Sequence, residues 1–313
     1  MKRAWIMASL TLLAALAFSG ERGVCARNGS ICIIDLETGN ETPITSGHAD
    51  MKPSWSLEKD QIVFFRVTRM RERVQEWHTA ICVINADGTG FRQLTEGNYA
   101  DYNPTWTKDG THRVIYSRYF PLRSRSVIHR IDLMRSDVKD EIISDPKRSE
   151  YAMSTLKDGR ILIQSNRAIF TGFYWLFTPA NENASETYVP IQYGVKLKGT
   201  MDRCSFNPDE TKVCYEYKPG FSTFSYIGKV IYLADFDPEK GIISNPRPIS
   251  PIASEAMTLY PRWTTDGASV VYHSNRTGRA RLYRYFLADG TTVELGADAK
   301  AAYEFFCGER CPK

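Results

Sequence analysis

A segment of about fifty residues recurs along this chain, and that recurrence limits the fold more than any other property of the sequence. The clearest copy reads Tyr260-Pro261-Arg262-Trp263-Thr264-Thr265-Asp266-Gly267, Val270-Val271-Tyr272-His273-Ser274-Asn275-Arg276-Thr277-Gly278, Leu282-Tyr283-Arg284-Tyr285, Ala288-Asp289-Gly290 and Val293-Glu294-Leu295. These are four short β-type runs separated by turn residues. Asp-Gly at 266–267 and at 289–290 supplies the positive-φ-tolerant pair that tight hairpins need. One four-stranded meander cannot bury both of its faces, so it calls for stacked copies of itself.

The copies alternate two half-units. The outer half is Ile31-Cys32-Ile33-Ile34-Asp35, repeated as Ile81-Cys82-Val83-Ile84-Asn85, Arg130-Ile131-Asp132-Leu133-Met134, Phe173-Tyr174-Trp175-Leu176-Phe177, Val230-Ile231-Tyr232-Leu233-Ala234 and Leu282-Tyr283-Arg284-Tyr285. The inner half is Pro53-Ser54-Trp55-Ser56 with Ile62-Val63-Phe64-Phe65, repeated around Trp106, Thr155, Phe206 and Trp263. Those five positions are separated by 51, 49, 51 and 57 residues. Four strands every fifty residues predicts propeller blades. Six outer halves against five inner ones leave one inner pair missing. The expectation is an all-β, six-bladed β-propeller of four-stranded antiparallel blades, closed by a blade shared between the N- and C-terminal segments. Tyr303-Glu304-Phe305-Phe306 would be its innermost strand and Gly23-Val24-Cys25-Ala26 its second, turning at Asn28-Gly29. Five blades and a loose tail is the alternative.

The pattern Pro-x-Trp-[Ser/Thr]-x-Asp-Gly, a strand ending Ser-x-Arg-x-Gly, an Ile/Leu-Tyr strand, Asp-Gly and Leu-Thr resembles the TolB-like (WD-like) six-bladed β-propeller repeat, from about Ile31 to Leu295. The resemblance implies a ligand-binding face around the channel mouth. It leaves function open, because such blades occur in periplasmic Tol-system proteins, in propeller lyases and beside prolyl peptidase domains. The sequence lacks the separate N-terminal α/β domain of TolB and any α/β-hydrolase domain, which weighs against a Tol-complex role and removes the peptidase reading.

Residues 1–19 read as a signal peptide: Lys2 and Arg3, then an apolar run to Phe18 with small residues around Ala15, Ala17 and Ser19. The run is too short and Ala-rich for a comfortable membrane span, so no stable membrane anchor is expected and residues 20–313 form a single propeller domain, periplasmic or secreted. A net charge of +4 over 313 residues lacks the concentrated basic face that nucleic acid requires. Seven cysteines suit an oxidising destination. Cys25 with Cys307 or Cys311 would clamp the ring, and Cys204 with Cys214 would staple a hairpin; Cys32 and Cys82, on apolar strands, read as buried free thiols.

Second-to-third-strand loops and blade-to-blade connections open on one common face. That face carries one acid per blade, Asp50, Asp101, Glu150, Asp202 and Glu255, with Tyr102 beside the second. A ring of acids can attract a divalent cation or a basic peptide. Each acid can equally cap a turn or pair with the arginine that ends the second strand, such as Arg118 or Arg167. Loops that break the repeat, Val67 to His78, Tyr119 to Val127 and Lys218 to Gly228, add Arg71, Trp77, Arg123 and Arg125, a composition suited to an acidic sugar, phosphate or peptide. No metal-binding histidine spacing, nucleophile elbow or phosphate loop occurs. The sequence therefore points to a monomeric binding or scaffolding module for a protein, peptide or glycan, with no resident cofactor and no assigned catalytic residue. The alternatives are a uronate (oligogalacturonate lyase-like) enzyme, with His48 and His78 in reach of that face, and a Tol-system-like envelope protein.

Overall fold

The computed structural model describes residues 21–58, 60–71, 76–135, 140–167, 174–193, 199–219, 227–252 and 255–295. Apart from one 3-10 turn at Pro121–Arg123, every regular element in them is a β-strand. The signal-peptide residues, Tyr303-Glu304-Phe305-Phe306, Cys307 and Cys311 lie outside the described residues.

The strands form small antiparallel meanders in chain order, in a propeller-like arrangement. The first unit has three strands, Arg22–Arg27, Ser30–Asp35 and Glu41–Pro43. Its hairpin turns at Asn28 and Gly29, both left-handed, and pairs Arg27 with Ser30 and Cys25 with Cys32, as the Asn-Gly pair predicts. Five four-strand meanders follow, with innermost strands Asp50–Trp55, Ala100–Trp106, Glu150–Thr155, Gly199–Phe206 and Thr258–Trp263. A single parallel bridge, Thr79 to Ala100, joins the second and third units into one sheet.

The middle strands carry buried apolar residues on both faces because each sheet packs between two others. Ile31 and Ile33 meet Ile62 and Phe64 between the first and second units. Val63 and Ile81 meet Trp106 and Tyr116 between the second and third. Ile115 and Ile128 meet Ile163 and Phe177 in the next interface, Leu162 and Leu176 meet Phe206 and Tyr215 in the one after, and Ile231 and Leu233 meet Val270 and Tyr272 in the fifth. The sixth cluster brings Ile34 and Leu36 of the first unit against Leu295 of the last, with Val271 and Leu282 packed beside them. Glu21 adds a polar tie there: its carboxylate accepts from the Thr265 hydroxyl at 2.7 Å, 244 residues away.

The repeat has two recurrent polar uses. In four units a Thr or Ser after the outermost strand accepts an amide of the strand beside it: Thr45 from Ile31, Thr95 from Ile81, Ser144 from Ile128 and Ser250 from Ile231, at 2.8 to 3.0 Å. The inner-strand tryptophan donates to the preceding unit: Trp106 Nε1 to the Ser54 carbonyl at 3.1 Å, and Trp263 Nε1 to the Ser205 carbonyl at 2.9 Å.

Two expectations are corrected. Cys204 and Cys214 are both free thiols. A bulge between Asp202 and Ser205 shifts the register so that Cys214 faces Ser205 instead of Cys204. The two sulfurs then enter different cores, Cys204 toward Leu162 and Cys214 toward Val270. Cys25 is also a free thiol, and lies directly opposite Cys32. The second correction concerns the long loops. Val67 to His78 is largely an extension of a hairpin, strands Gln61–Arg71 and Glu76–Asn85, and Tyr119 to Val127 is strand on both sides of the Pro121–Arg123 turn. Residues 220–226 of the third loop lie outside the described set. Cys32 and Cys82 are buried and free, as expected.

Candidate functional site

The acids expected on the common face divide into two groups. Asp50, Asp101 and Glu150 are fully buried, and each is held by an arginine in its unit's second strand or just beyond it. Arg66 Nε and Nη2 donate to the two Asp50 oxygens at 2.6 and 2.8 Å. Arg118 grips Asp101 the same way at 2.6 and 2.9 Å, and Arg167 Nε reaches Glu150 at 2.8 Å. The Arg66 and Arg118 forks join inner strand to second strand and occupy both carboxylate oxygens with internal partners, while Glu150 is held through Oε1, which also accepts from the Ser165 hydroxyl at 2.8 Å. Aromatic faces cover the cations: Arg118 lies 4.6 Å from the Tyr99 ring centre and Arg167 lies 3.2 Å from that of Tyr188. Tyr102 hydrogen-bonds the Ser126 hydroxyl at 2.7 Å and stacks on Tyr151, and burial pushes its phenol well up.

Asp202 belongs to a second, larger cluster, which a backbone device assembles. Each of the five four-stranded units has an irregularity in its inner strand, and in four of them the residue three before the Trp or Phe position is left-handed: Lys52, Asn103, Arg203 and Tyr260, with φ of 51, 54, 42 and 58°. Left-handed backbone costs a non-glycine residue about 1–2 kcal/mol, so its repetition marks an enforced geometry. The bulges bring these side chains together. Lys52 Nζ donates to Asn103 Oδ1. The Arg203 guanidinium lies 4.7 Å from the Tyr260 ring centre and bonds Glu216 at 2.7 Å. Lys229, buried, reaches Glu216 at 2.8 Å and Asp202 at 3.0 Å, while the Tyr260 amide takes the other Glu216 oxygen at 2.8 Å.

The Lys52–Asn103 and Arg203–Tyr260 contacts each join the inner strands of two neighbouring units. Burial, then repulsion from Arg203 and Arg262, lowers the Lys52 ammonium to about 7, with Asp202 and Glu216 opposing the fall. Burial and Arg203 likewise lower Arg262. Burial works against ionisation of Asp202, yet Arg203 and Lys229 hold its carboxyl below the usual range. Arg262 sits immediately before Trp263, where the other units carry Ser54, Thr105, Ser154 and Ser205. That break in the Ser/Thr pattern was the available sequence signal for Arg262. Lys52 and Arg203 had a weaker one, the spacing to the Trp position, since nothing in residue type announces a bulge. Glu216, on the strand Lys212–Pro219, and Lys229, just before the strand Val230–Asp237, had none.

The remaining sequence candidates lie on the rim. Glu255 and Arg123 are exposed. Arg125 donates to the Pro146 carbonyl at 2.6 Å, and Trp77 packs, half-buried, against the core between the second and third units. Arg71 ends strand Gln61–Arg71. Sequence reasoning overlooked most of the aliphatic part of this rim. Met70, near the end of the strand Gln61–Arg71, and Tyr99, Leu122, Ile227 and Ile252, in second-to-third-strand turns or blade-to-blade connections, are exposed, Leu122 completely and Ile252 by 76%. Among the described residues no group of three or more His, Cys, Asp and Glu side chains is placed to hold a metal ion, and no helix is long and apolar enough to cross a membrane.

No family model and no curated protein matches the chain. Solved structures do. TolB from Acinetobacter baumannii aligns at a TM-score of 0.63 with 18% identity over 90% of this chain, which spans 65% of that TolB's length. A putative TolB from Agrobacterium tumefaciens aligns at 0.59 with 13% identity over 88% of this chain and 89% of its own. A chain of the nidogen/laminin complex aligns at 0.56 with 10% identity, covering 88% and 92%. At these identities the likeness concerns the fold: the chain has the TolB-like propeller arrangement.

Proposed function

We propose that this chain is an exported, six-bladed propeller that binds a protein or peptide partner on the face around its channel mouth. The observation that carries the reading is the rim. Met70, Tyr99, Leu122, Ile227 and Ile252 expose apolar side chains on the one face where second-to-third-strand turns and blade connections emerge, interleaved with Arg123 and Arg125. Aromatic, large aliphatic and arginine side chains in one patch are the usual anchors of protein interfaces. Structural likeness to TolB and to a chain of the nidogen/laminin complex supports the same class of partner.

The six-blade ring is part of the proposal. Trp106 and Trp263 each donate to a carbonyl of the preceding inner strand, and Trp55 holds the same repeat position. Its Nε1 is buried with no acceptor among the described residues. The preceding inner strand for Trp55 is the one missing from the three-stranded first unit, and Tyr303-Glu304-Phe305-Phe306 is the segment assigned to it. A backbone carbonyl there would satisfy Trp55, consistent with the rule that buried donors are paired.

Site-specific photo-crosslinking in the native envelope tests the binding face. A crosslinker at Leu122 or Ile252 is expected to give a discrete protein adduct, and one at Leu57, exposed in the turn at the opposite end of the strands, is not. Adducts from position 57 alone, or equal labelling at all three, would contradict the assignment.

A further inference from the structure

The first hairpin sets two cysteines face to face. Cys25 on Arg22–Arg27 and Cys32 on Ser30–Asp35 are register partners across an antiparallel pair, so their side chains leave the same face of the sheet. The Leu36 amide donates to the Glu21 carbonyl at 2.9 Å. Counting inward by twos makes Cys25 and Cys32 a hydrogen-bonded pair, with α-carbons about 5.5 Å apart. A disulfide spans about 4.4–6.8 Å between α-carbons, so no rearrangement of the fold stands between these thiols and a bond. The two side chains already meet: the Cys25 thiol donates to the Cys32 sulfur, which raises Cys25 and lowers Cys32.

The other described cysteines are placed differently. Cys82 is wholly buried beside the core between the first and second units, and burial pushes its thiol up to about 12. Cys204 and Cys214 enter separate cores. Cys25 is half-buried on a strand at the edge of its sheet, beside Ile34, Leu36 and Leu295 in the seam between the first and last units. A dissolved reagent therefore meets Cys25 first, whereas Cys32 is withdrawn, with 4% of its surface exposed.

We propose that Cys25 and Cys32 form a reversible redox site, oxidised to an intramolecular disulfide by a small-molecule disulfide such as oxidised glutathione. The thiol pair loses one proton to solvent and shares the other. Cys25 Sγ attacks one sulfur of the reagent and passes the shared proton to Cys32; the reagent's S–S bond breaks and one thiolate leaves. That thiolate takes the proton from Cys32, whose sulfur then attacks Cys25 Sγ and expels the second thiolate, which is protonated by solvent. Two protein thiols and one reagent disulfide become one protein disulfide and two reagent thiols. The register also decides what kind of bond this is. The β-carbons of a hydrogen-bonded pair stand toward the wide end of about 4.5–5.5 Å, whereas a disulfide draws them to about 3.5–4.5 Å. Closing the bond strains the hairpin, and strained disulfides are the readily reduced ones. Oxidation fastens the edge strand Arg22–Arg27 to its neighbour, and reduction releases it. The site needs neither the binding face nor the closing strand.

Oxidation of the reduced full chain with glutathione disulfide, followed by acid quenching and non-reducing tryptic mapping, tests the proposal. Trypsin cuts after Arg22 and Arg27, so residues 23–27 and the peptide beginning at Asn28 stay joined only through the new bond. We expect that joined pair, short of two hydrogens, and its return to two separate thiol peptides under excess reduced glutathione. Cys32→Ser should instead trap glutathione on Cys25. Cys25→Ser, at a half-buried position, should fold and leave Cys32 unmodified. A Cys307→Ser, Cys311→Ser variant should form the bond as the native chain does. Oxidation should raise the melting temperature of the native chain by about a few degrees and leave that of Cys25→Ser unmoved. Recovery of Cys25 joined to Cys307 or Cys311 overturns the proposal while supporting ring closure. Both thiols remaining free, or a bond that excess reduced glutathione does not reopen, overturns it as well.

Discussion

His273 shows what burial does to a single residue in this fold. It lies in the second strand of the last unit with 5% of its surface exposed, and burial, assisted by Arg27, lowers its imidazole to about 4. In the unfolded chain the ring would titrate near its ordinary 6.5. Between these values the unfolded chain binds the proton and the fold does not, so stability rises with pH across that window. The contribution is complete above 6.5, erodes as pH falls, and is lost below 4, amounting to about 3 kcal/mol at most. Urea unfolding at pH 7 and pH 4.5 should show that loss, and His273→Phe should remove most of the difference between the two. An unchanged pH dependence in the variant would place the acid sensitivity elsewhere.

At the scale of strands, arginine–carboxylate pairs hold three of the units together from inside. Arg118 joins the strand Arg113–Phe120 to Asp101 on Ala100–Trp106, and also donates to Asp140 at 3.0 Å on the outermost strand. Removing one member leaves a buried charge unpaired, which typically costs about 3–5 kcal/mol. Arg118→Ala should therefore lower stability by that order in denaturant unfolding, with Asp101→Asn, Arg118→Ala together costing less than the two added. Additive losses would mean the pair is not coupled. The sequence carried both ingredients of two of these pairs, the acids Asp101 and Glu150 with the arginines Arg118 and Arg167, but not the choice between a cation-attracting ring and internal pairing. That choice depends on depth: Asp50, Asp101 and Glu150 are wholly withdrawn from solvent while Glu255 is exposed. Strand positions and the Asn28-Gly29 hairpin were readable because alternation and turn residues determine them. The bulge between Asp202 and Ser205 was not, and it moved Cys214 away from Cys204. A one-residue slip sends every following side chain to the opposite face, so a cysteine pair read from spacing alone is the first casualty.

Over the whole molecule, the account rests on consecutive sheets arranged about one axis. Six apolar clusters occupy the successive interfaces, the last joining the end of the described chain to its start. The period of fifty residues predicted that arrangement, because only stacked copies bury both faces of such meanders. The contacts between inner strands could not be read the same way, since Lys52 with Asn103 and Arg203 with Tyr260 belong to separate units that meet only when the sheets are placed side by side. The central claim is that the C-terminal segment supplies the innermost strand beside Arg22–Arg27. In that hairpin Gly23, Cys25 and Arg27 exchange hydrogen bonds with the strand Ser30–Asp35, which turns the Val24 and Ala26 amides toward the inner edge. Amide hydrogen exchange on the full chain and on a chain ending at residue 295 measures the claim directly. Closure predicts that Val24 and Ala26 exchange slowly in the full chain and become fast in the shortened one; equal exchange at those two amides in both chains would contradict it.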